Sequence, residues 1–122
     1  LNTIIPIFRI FDIDKAREFY IDWLGFKIDW EHRFGENSPL YMSISKDEII
    51  IHLSEHYGDA TPGSKVMIHF KGLKEYCQIL QSIDYRYYKP CIEESGWGSF
   101  IMELIDPFGN RLMFNEDKSE QR

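Results

Sequence analysis

The sequence has no long apolar run, no lysine- or arginine-rich run and only two cysteines. A membrane-crossing helix needs about 20 consecutive apolar residues, so none is expected. Without a charged-then-apolar leader, no signal peptide is expected either, and Leu1 in place of a methionine points to a trimmed N-terminus. A phosphate-backbone partner needs a basic patch. With 14 Lys and Arg against 20 Asp and Glu, the net charge of −6 argues against nucleic acid and favours a cationic ligand. Cys77 and Cys91 have neither C-x-x-C spacing nor a neighbouring histidine. They read as two buried thiols in a reducing cytoplasm, which leaves redox and zinc chemistry without a basis.

What the chain does have is aromatic residues, 16% of 122 positions, in a length that suits one domain with its own core. The core takes part of them, and an aromatic-lined binding cleft would take the rest. Hydrophobic periodicity gives two copies of one pattern. Ile4 to Ile10 is a short apolar strand, with Pro6 tolerable at an edge or near the strand start. Asp12 caps a helix whose apolar face is Ile13, Ala16, Phe19, Tyr20, Trp23 and Leu24, and Gly25 stops it. Phe26 to Phe34, Pro39 to Ser45 and Glu48 to Ser54 follow as strands; in the last, Ile49, Ile51 and Leu53 alternate with Ile50, His52 and Ser54. Glu55 to Ser64 is the longest loop.

Beyond that loop, Lys65 to Phe70 is a strand and Leu73, Tyr76, Cys77, Leu80 and Ile83 mark a second amphipathic helix. Tyr87 to Glu93, Gly98 to Ile105 and Arg111 to Glu116 are three more strands. Both halves read βαβββ. The expected fold class is α+β, one domain over 1–122 with module one at about 1–56 and module two at about 64–116. Two copies are too few for a solenoid, and the polar tail from Asp117 to Arg122 is expected to fray.

Asp106-Pro107-Phe108-Gly109-Asn110 breaks the alternation between the last two strands and marks a hairpin. Just before it, Trp97 stands between Gly96 and Gly98, which leave the indole uncrowded on both sides. GWG, a strand and then DPFGNRLMF resemble the C-terminal half of the glyoxalase/bleomycin-resistance superfamily, the vicinal-oxygen-chelate fold. They look most like its bleomycin-resistance proteins. PIFRIFDIDKAREFYIDWLGF is similar to that family's first strand and first helix, so the resemblance covers nearly the whole chain. It implies two βαβββ modules whose sheets bend around a cleft, and a homodimer in which two chains form the clefts.

Enzymes among these relatives, such as glyoxalase I, extradiol dioxygenases and fosfomycin-resistance enzymes, carry metal-binding histidines and carboxylates on cleft-facing strands. The resemblance puts Ile5, His52, Lys65 or Val66, and Met113 at those positions, and a one-residue slip brings only Pro6, Met67 or Leu112. A divalent ion needs three or four N, O or S donors, so no metal and no other cofactor is expected. His52-Leu53-Ser54-Glu55-His56 also matches the H-x-x-E-H pattern of inverted zinc proteases. That chemistry needs a helix, whereas three isoleucines lead into this segment and Gly58 closes it, a strand-and-loop setting.

The ligand-binding candidates are Trp97, Trp30, Phe34, Tyr41, His52, Glu103 and Met113. Each also has a bland reading: Trp97 as core, Trp30, Phe34 and Tyr41 as strand packing, His52 as a hydrogen-bonded imidazole in a partly wet cleft. Glu93, Glu94 and Glu103 would make the cleft acidic, although the first two also suit a solvated strand end. Arg9, Asp12, Arg17 and Arg111 read as structural, and Ser54 and Ser99 have no base beside them, so no catalytic residue is named. The expected function is metal-free sequestration of a cationic or aromatic small molecule, bleomycin-like in the resembled proteins, in an acidic, aromatic-lined cleft. The alternative is a superfamily enzyme, a lyase, isomerase or dioxygenase, acting on a small molecule.

Overall fold

A computed structural model describes residues 1–85 and 89–118. The chain divides into two compact units, Leu1–Ser64 with Asp106–Asn110, and Lys65–Ile105 with the residues from Arg111 on. Each unit holds one four-stranded mixed sheet, and the class is α+β as expected.

In the first unit β1 (Ile7–Arg9) leads into α1 (Ile13–Arg17), and β2 (Lys27–Arg33), β3 (Leu40–Lys46) and β4 (Ile49–Ser54) follow. The sheet order is β1-β4-β3-β2, with β1 parallel to β4 and the other pairs antiparallel. β1 is shorter than the expected strand from Ile4 to Ile10, because it begins only after Pro6, which has no N–H to give a ladder. The Pro6 carbonyl still accepts from the His52 N–H at 3.0 Å. Asp12 caps α1 as predicted, its Oδ1 accepting from the Lys15 N–H at 3.0 Å.

The predicted single helix is in fact two kinds of helix. From Glu18 to Trp23 it widens into a π-helical turn. That turn carries three buried rings, with Phe19 packed on Tyr20 at 4.8 Å and on Trp23 at 5.5 Å between centroids. Gly25 ends it at φ +85°, a conformation that costs other residues a Cβ clash.

The turn Asp106–Asn110 belongs to this unit and is built around a buried carboxylate. Asp106 Oδ2 accepts from the Tyr20 hydroxyl at 2.6 Å and Asn110 Nδ2 at 2.9 Å. Oδ1 accepts from the backbone N–H of Phe108 at 2.9 Å and of Asn110 at 2.8 Å. Four donors offset the desolvation of one buried acidic group. Asn110 Nδ2 also donates to the Arg9 carbonyl at 2.9 Å, which fixes the end of β1.

The second unit repeats the topology with β5 (Lys65–His69), α2 (Leu73–Ser82), β6 (Glu93–Glu94), β7 (Ser99–Ile105) and β8 (Arg111–Asp117) in sheet order β5-β8-β7-β6. Of the strand expected from Tyr87 to Glu93, 86–88 lie outside the described residues, and 89–92 are not strand. Pro90 in that stretch has no ladder donor. At the other end β8 runs on through Asp117, and 119–122 of the expected tail lie outside the described residues. The expectation of two buried thiols is half corrected, since Cys77 is buried on α2 while Cys91 is exposed.

α2 starts on a carboxylate from the sheet it packs against. Glu116 of β8, 5% exposed, accepts from the N–H of Gly72 at 2.8 Å and of Leu73 at 3.1 Å. A negative charge at a helix N-terminus satisfies orphan donors and opposes the positive end of the helix dipole. Phe70, Tyr76 and Phe114 pack around the same end at 4.7 to 5.7 Å between centroids. Glu116→Gln removes the charge and turns an amide donor toward those N–H groups, and it is expected to cost about 1–2 kcal/mol in urea unfolding. A midpoint equal to wild type would show that the contact adds nothing.

Candidate functional site

Strand alternation decides which side chains of the first sheet face which way. Ile28 pairs with Ile44 and Trp30 with Ser43, so Asp29 is an extra residue in β2, a β-bulge. Before the bulge, Ile28, Ile44 and Ile51 form one row on the core face. After it, the next core row is Glu31, Met42, Leu53 and Phe8. An ion pair from Arg17 of α1 to Glu31 identifies this as the face that the helix covers. Trp30, two residues from Ile28, is thereby turned to the opposite face. That face carries two rows, Trp30-Ser43-His52-Ile7 and His32-Tyr41-Ser54-Arg9.

These rows make a cluster of rings. Trp30 and Tyr41 lie nearly parallel at 5.8 Å, and the His52 ring stands edge-on to each of them at 5.2 Å. Phe34, just past β2, meets His32 at 4.6 Å and His56 at 5.8 Å. Between them opens a cavity of about 450 Å³ lined by Trp30, His32, Phe34, Tyr41, His56 and Asp59. Its size lies in the usual range for small-molecule pockets. Trp30 is 46% and Phe34 80% exposed, whereas Phe8, Met42, Ile44, Ile51 and Leu53 on the core face of the same sheet are buried.

Polar groups are few and fixed. The Tyr41 hydroxyl and His52 Nδ1 share a hydrogen bond of 2.7 Å. Asp59 accepts from the buried Ser54 hydroxyl at 2.6 Å, which holds its carboxylate at the cavity wall. Burial, then the Asp59 charge, push the Tyr41 phenol upward, while burial lowers the His52 imidazole. Both members of the hydrogen bond are therefore neutral near pH 7.

Four of the residues singled out from sequence, Trp30, Phe34, Tyr41 and His52, thus come together on one face. His32, His56 and Asp59 were missed as members of the group. His32 is legible only once the bulge is known, and His56, read as a surface-loop residue, is half-buried against Phe34 and Tyr41.

Trp97, Glu103 and Met113 lie in the second unit. Trp97 is no core residue, being 61% exposed, yet its indole N–H is directed to Asn115 Oδ1 at 3.4 Å. Buried Ser99 donates to the same oxygen at 2.8 Å, and Ser95 Oγ accepts from the N–H of Ser99 at 3.0 Å and of Trp97 at 3.3 Å. Beyond their chain neighbours, a Cβ at Gly96 or Gly98 would meet nothing within 4 Å. Gly98 has a φ of +87°, a conformation that glycine adopts at no steric cost. Glu103 is ion-paired to Lys65 at 3.0 Å and lies 3.8 Å from Arg111. Met113, 8% exposed, pairs with Glu103 across β7 and with Met67 across β5.

The residue of β1 beside His52 is Ile7, two positions from the expected Ile5. Within the first sheet the row of His52 holds Ile7, Ser43 and Trp30, which do not supply the further donors that a divalent ion needs. Among the described residues no group of three or more His, Cys, Asp or Glu stands where it could hold one. Among them, too, no helix is long and apolar enough to cross a membrane.

A family model described as glyoxalase superfamily protein matches residues 1–121. No curated protein matches the chain. Among solved structures, a bleomycin resistance determinant encoded on transposon Tn5 is 21% identical with a TM-score of 0.73, covering 97% of this chain and 99% of its own. A bleomycin-binding protein complexed with bleomycin is 20% identical, also at 0.73, over 97% of this chain and 100% of its own. A glyoxalase-related enzyme from Clostridium phytofermentans is 19% identical at 0.74, over 96% and 95%. At these identities the likeness is one of fold.

The lowered His52 gives stability a definite dependence on pH. As pH falls below about 6.5 the unfolded chain takes up this proton before the folded one does, so folding is opposed increasingly until the folded imidazole also protonates. Urea midpoints are expected to drop between pH 7.5 and 5.5 more steeply in wild type than in His52→Gln. Parallel profiles would show that burial of His52 has no such linkage.

Proposed function

The chain belongs to the glyoxalase superfamily, and from that premise we propose that it is a metal-free binding protein of the bleomycin-resistance type, which sequesters a cationic or aromatic small molecule. The observation that carries this is the ring-lined cavity of about 450 Å³ with the Asp59 carboxylate at its wall. Exposed rings held by their neighbours offer flat contact area at low entropic cost, and a carboxylate beside them favours a cation. The net charge of −6 acts in the same direction at longer range. Trp30, Phe34, Tyr41 and His52 are the contacts proposed from the first unit. Trp97, with its N–H anchored and its ring exposed, is the leading one from the second. Met113 and Glu103 would join it, although Glu103 reaches a ligand only by giving up Lys65.

Two further elements complete the reading. We take the protein to be a homodimer, because among the described residues each sheet is open, with edge strands β1 and β2 in one and β5 and β6 in the other. Its free cysteines suit the cytoplasm.

Four measurements test the proposal. Proflavine, a planar cation, is expected to bind, and Trp30→Ala to weaken it by about 1–3 kcal/mol, the range for loss of a stacking platform. Trp97→Ala is expected to lower affinity with little loss of stability, since the ring is already exposed. Chelator treatment should leave affinity unchanged and the ligand should be recovered intact; loss of binding after chelation, or a converted ligand, would favour an enzyme. Static light scattering should give twice the 14.6 kDa chain mass, and a persistent monomer would remove the dimer.

A further inference from the structure

His52 differs from the other ring residues of the site in having one nitrogen already committed. Its Nδ1 lies 2.7 Å from the Tyr41 hydroxyl. With both groups neutral, either the phenol donates to a bare Nδ1 or Nδ1–H donates to the phenol oxygen. A phenol is a far stronger acid than a neutral imidazole N–H, and a bare imidazole nitrogen is the stronger acceptor of the two, so the first arrangement is the better hydrogen bond. It leaves the imidazole proton on Nε2. Among the described residues nothing else bonds to the His52 ring, which is half-buried and stands edge-on to Trp30 at 5.2 Å.

We propose that Tyr41 is a positioning residue that locks His52 in the Nε2–H tautomer, and that the resulting N–H beside the Trp30 ring selects planar ligands with a hydrogen-bond acceptor, a carbonyl oxygen or ring nitrogen, on their edge. This rests on the binding role proposed above and narrows its ligand class. The geometry supplies both parts of the selection. Trp30 and Tyr41, 12° from parallel, offer flat surfaces at the cavity wall, and the half-buried His52 ring stands edge-on beside them at 71° and 80°. A site that directs a fixed donor at its ligand penalises an analogue without the acceptor, because the donor is then desolvated and unpaired.

Two experiments decide it. Long-range ¹H–¹⁵N correlation on histidine-labelled protein without ligand reads the tautomer directly. The expected result is a pyridine-like Nδ1 and a protonated Nε2, turning into a mixture in Tyr41→Phe, which keeps the ring but removes the hydroxyl. A protonated Nδ1 in wild type, or an unchanged tautomer in Tyr41→Phe, would overturn the lock whatever binds.

Selection is then read by NMR titration with 1-methylnicotinamide and with 1-methyl-3-isopropenylpyridinium, equal in charge and nearly in shape but lacking the amide oxygen. Wild type is expected to prefer the former about five- to tenfold, the worth of one net hydrogen bond, and Tyr41→Phe to lose most of that preference. Equal affinities in wild type would overturn the selection and leave the cation-binding role standing. No binding of either at millimolar concentration would overturn the selection together with that role.

Discussion

The alternation of side chains along a strand is the constraint on which this site depends, and one residue resets it. A flat pairing of β2 with β3 would put Trp30 on the face of Ile28, under α1. Asp29, the extra residue, moves every later side chain of the strand to the other face. Glu31 then meets Arg17 of the helix, and Trp30 and His32 join Tyr41 and His52. Asp29 is itself held, its carboxylate accepting from Ser45 at 3.0 Å, so the bulge has a side-chain anchor. Pairing the same sequence without the bulge would turn a tryptophan and an imidazole into a core with no room for them.

The same economy of buried charge appears in both units, through different residues. In the first, Asp106 collects four hydrogen bonds and organises a turn; in the second, Glu116 receives the first N–H groups of α2. Neither carboxylate meets a cation in these contacts. In these contacts backbone N–H, hydroxyl and amide dipoles supply the stabilisation, as they do at anion sites generally. Exposed pairs such as Lys118 with Glu94 and Lys27 with Asp29 add little by comparison.

Much of the fold was legible because β4, β7 and β8 carry apolar side chains at every second position along the core face. Ile51, Leu53, Met102, Leu104, Leu112 and Phe114 are all buried as their spacing requires. The π-helical turn and the bulge were not legible, since each inserts a residue without changing local composition. β6 fell short of its expected length for a different reason, as Pro90 interrupts what otherwise reads as strand. In the site, ring residues could be picked out one at a time, but their grouping follows from the shifted register. His56 reaches the group through the loop after β4, where the backbone N–H of His56 donates to Ser54 Oγ at 3.0 Å. Loop geometry of that kind leaves no periodic trace.

What separates this face from a metal site is the set of neighbours given to its one well-placed histidine. A metal-binding imidazole needs one nitrogen free for the ion, two or three further donors around it, and an outer partner for its second nitrogen. His52 has the outer partner, Tyr41, but its row continues in Ile7, Ser43 and Trp30, and among the described residues no group of three donors stands together. The hydrogen bond that would orient a ligand for a metal instead fixes the imidazole beside the rings of Trp30 and Tyr41. A half-buried N–H of this kind adds discrimination when a bound ligand covers it, because a ligand without an acceptor then leaves it unpaired. Recognition of a flat molecule by its faces and one edge is the chemistry that this arrangement supports.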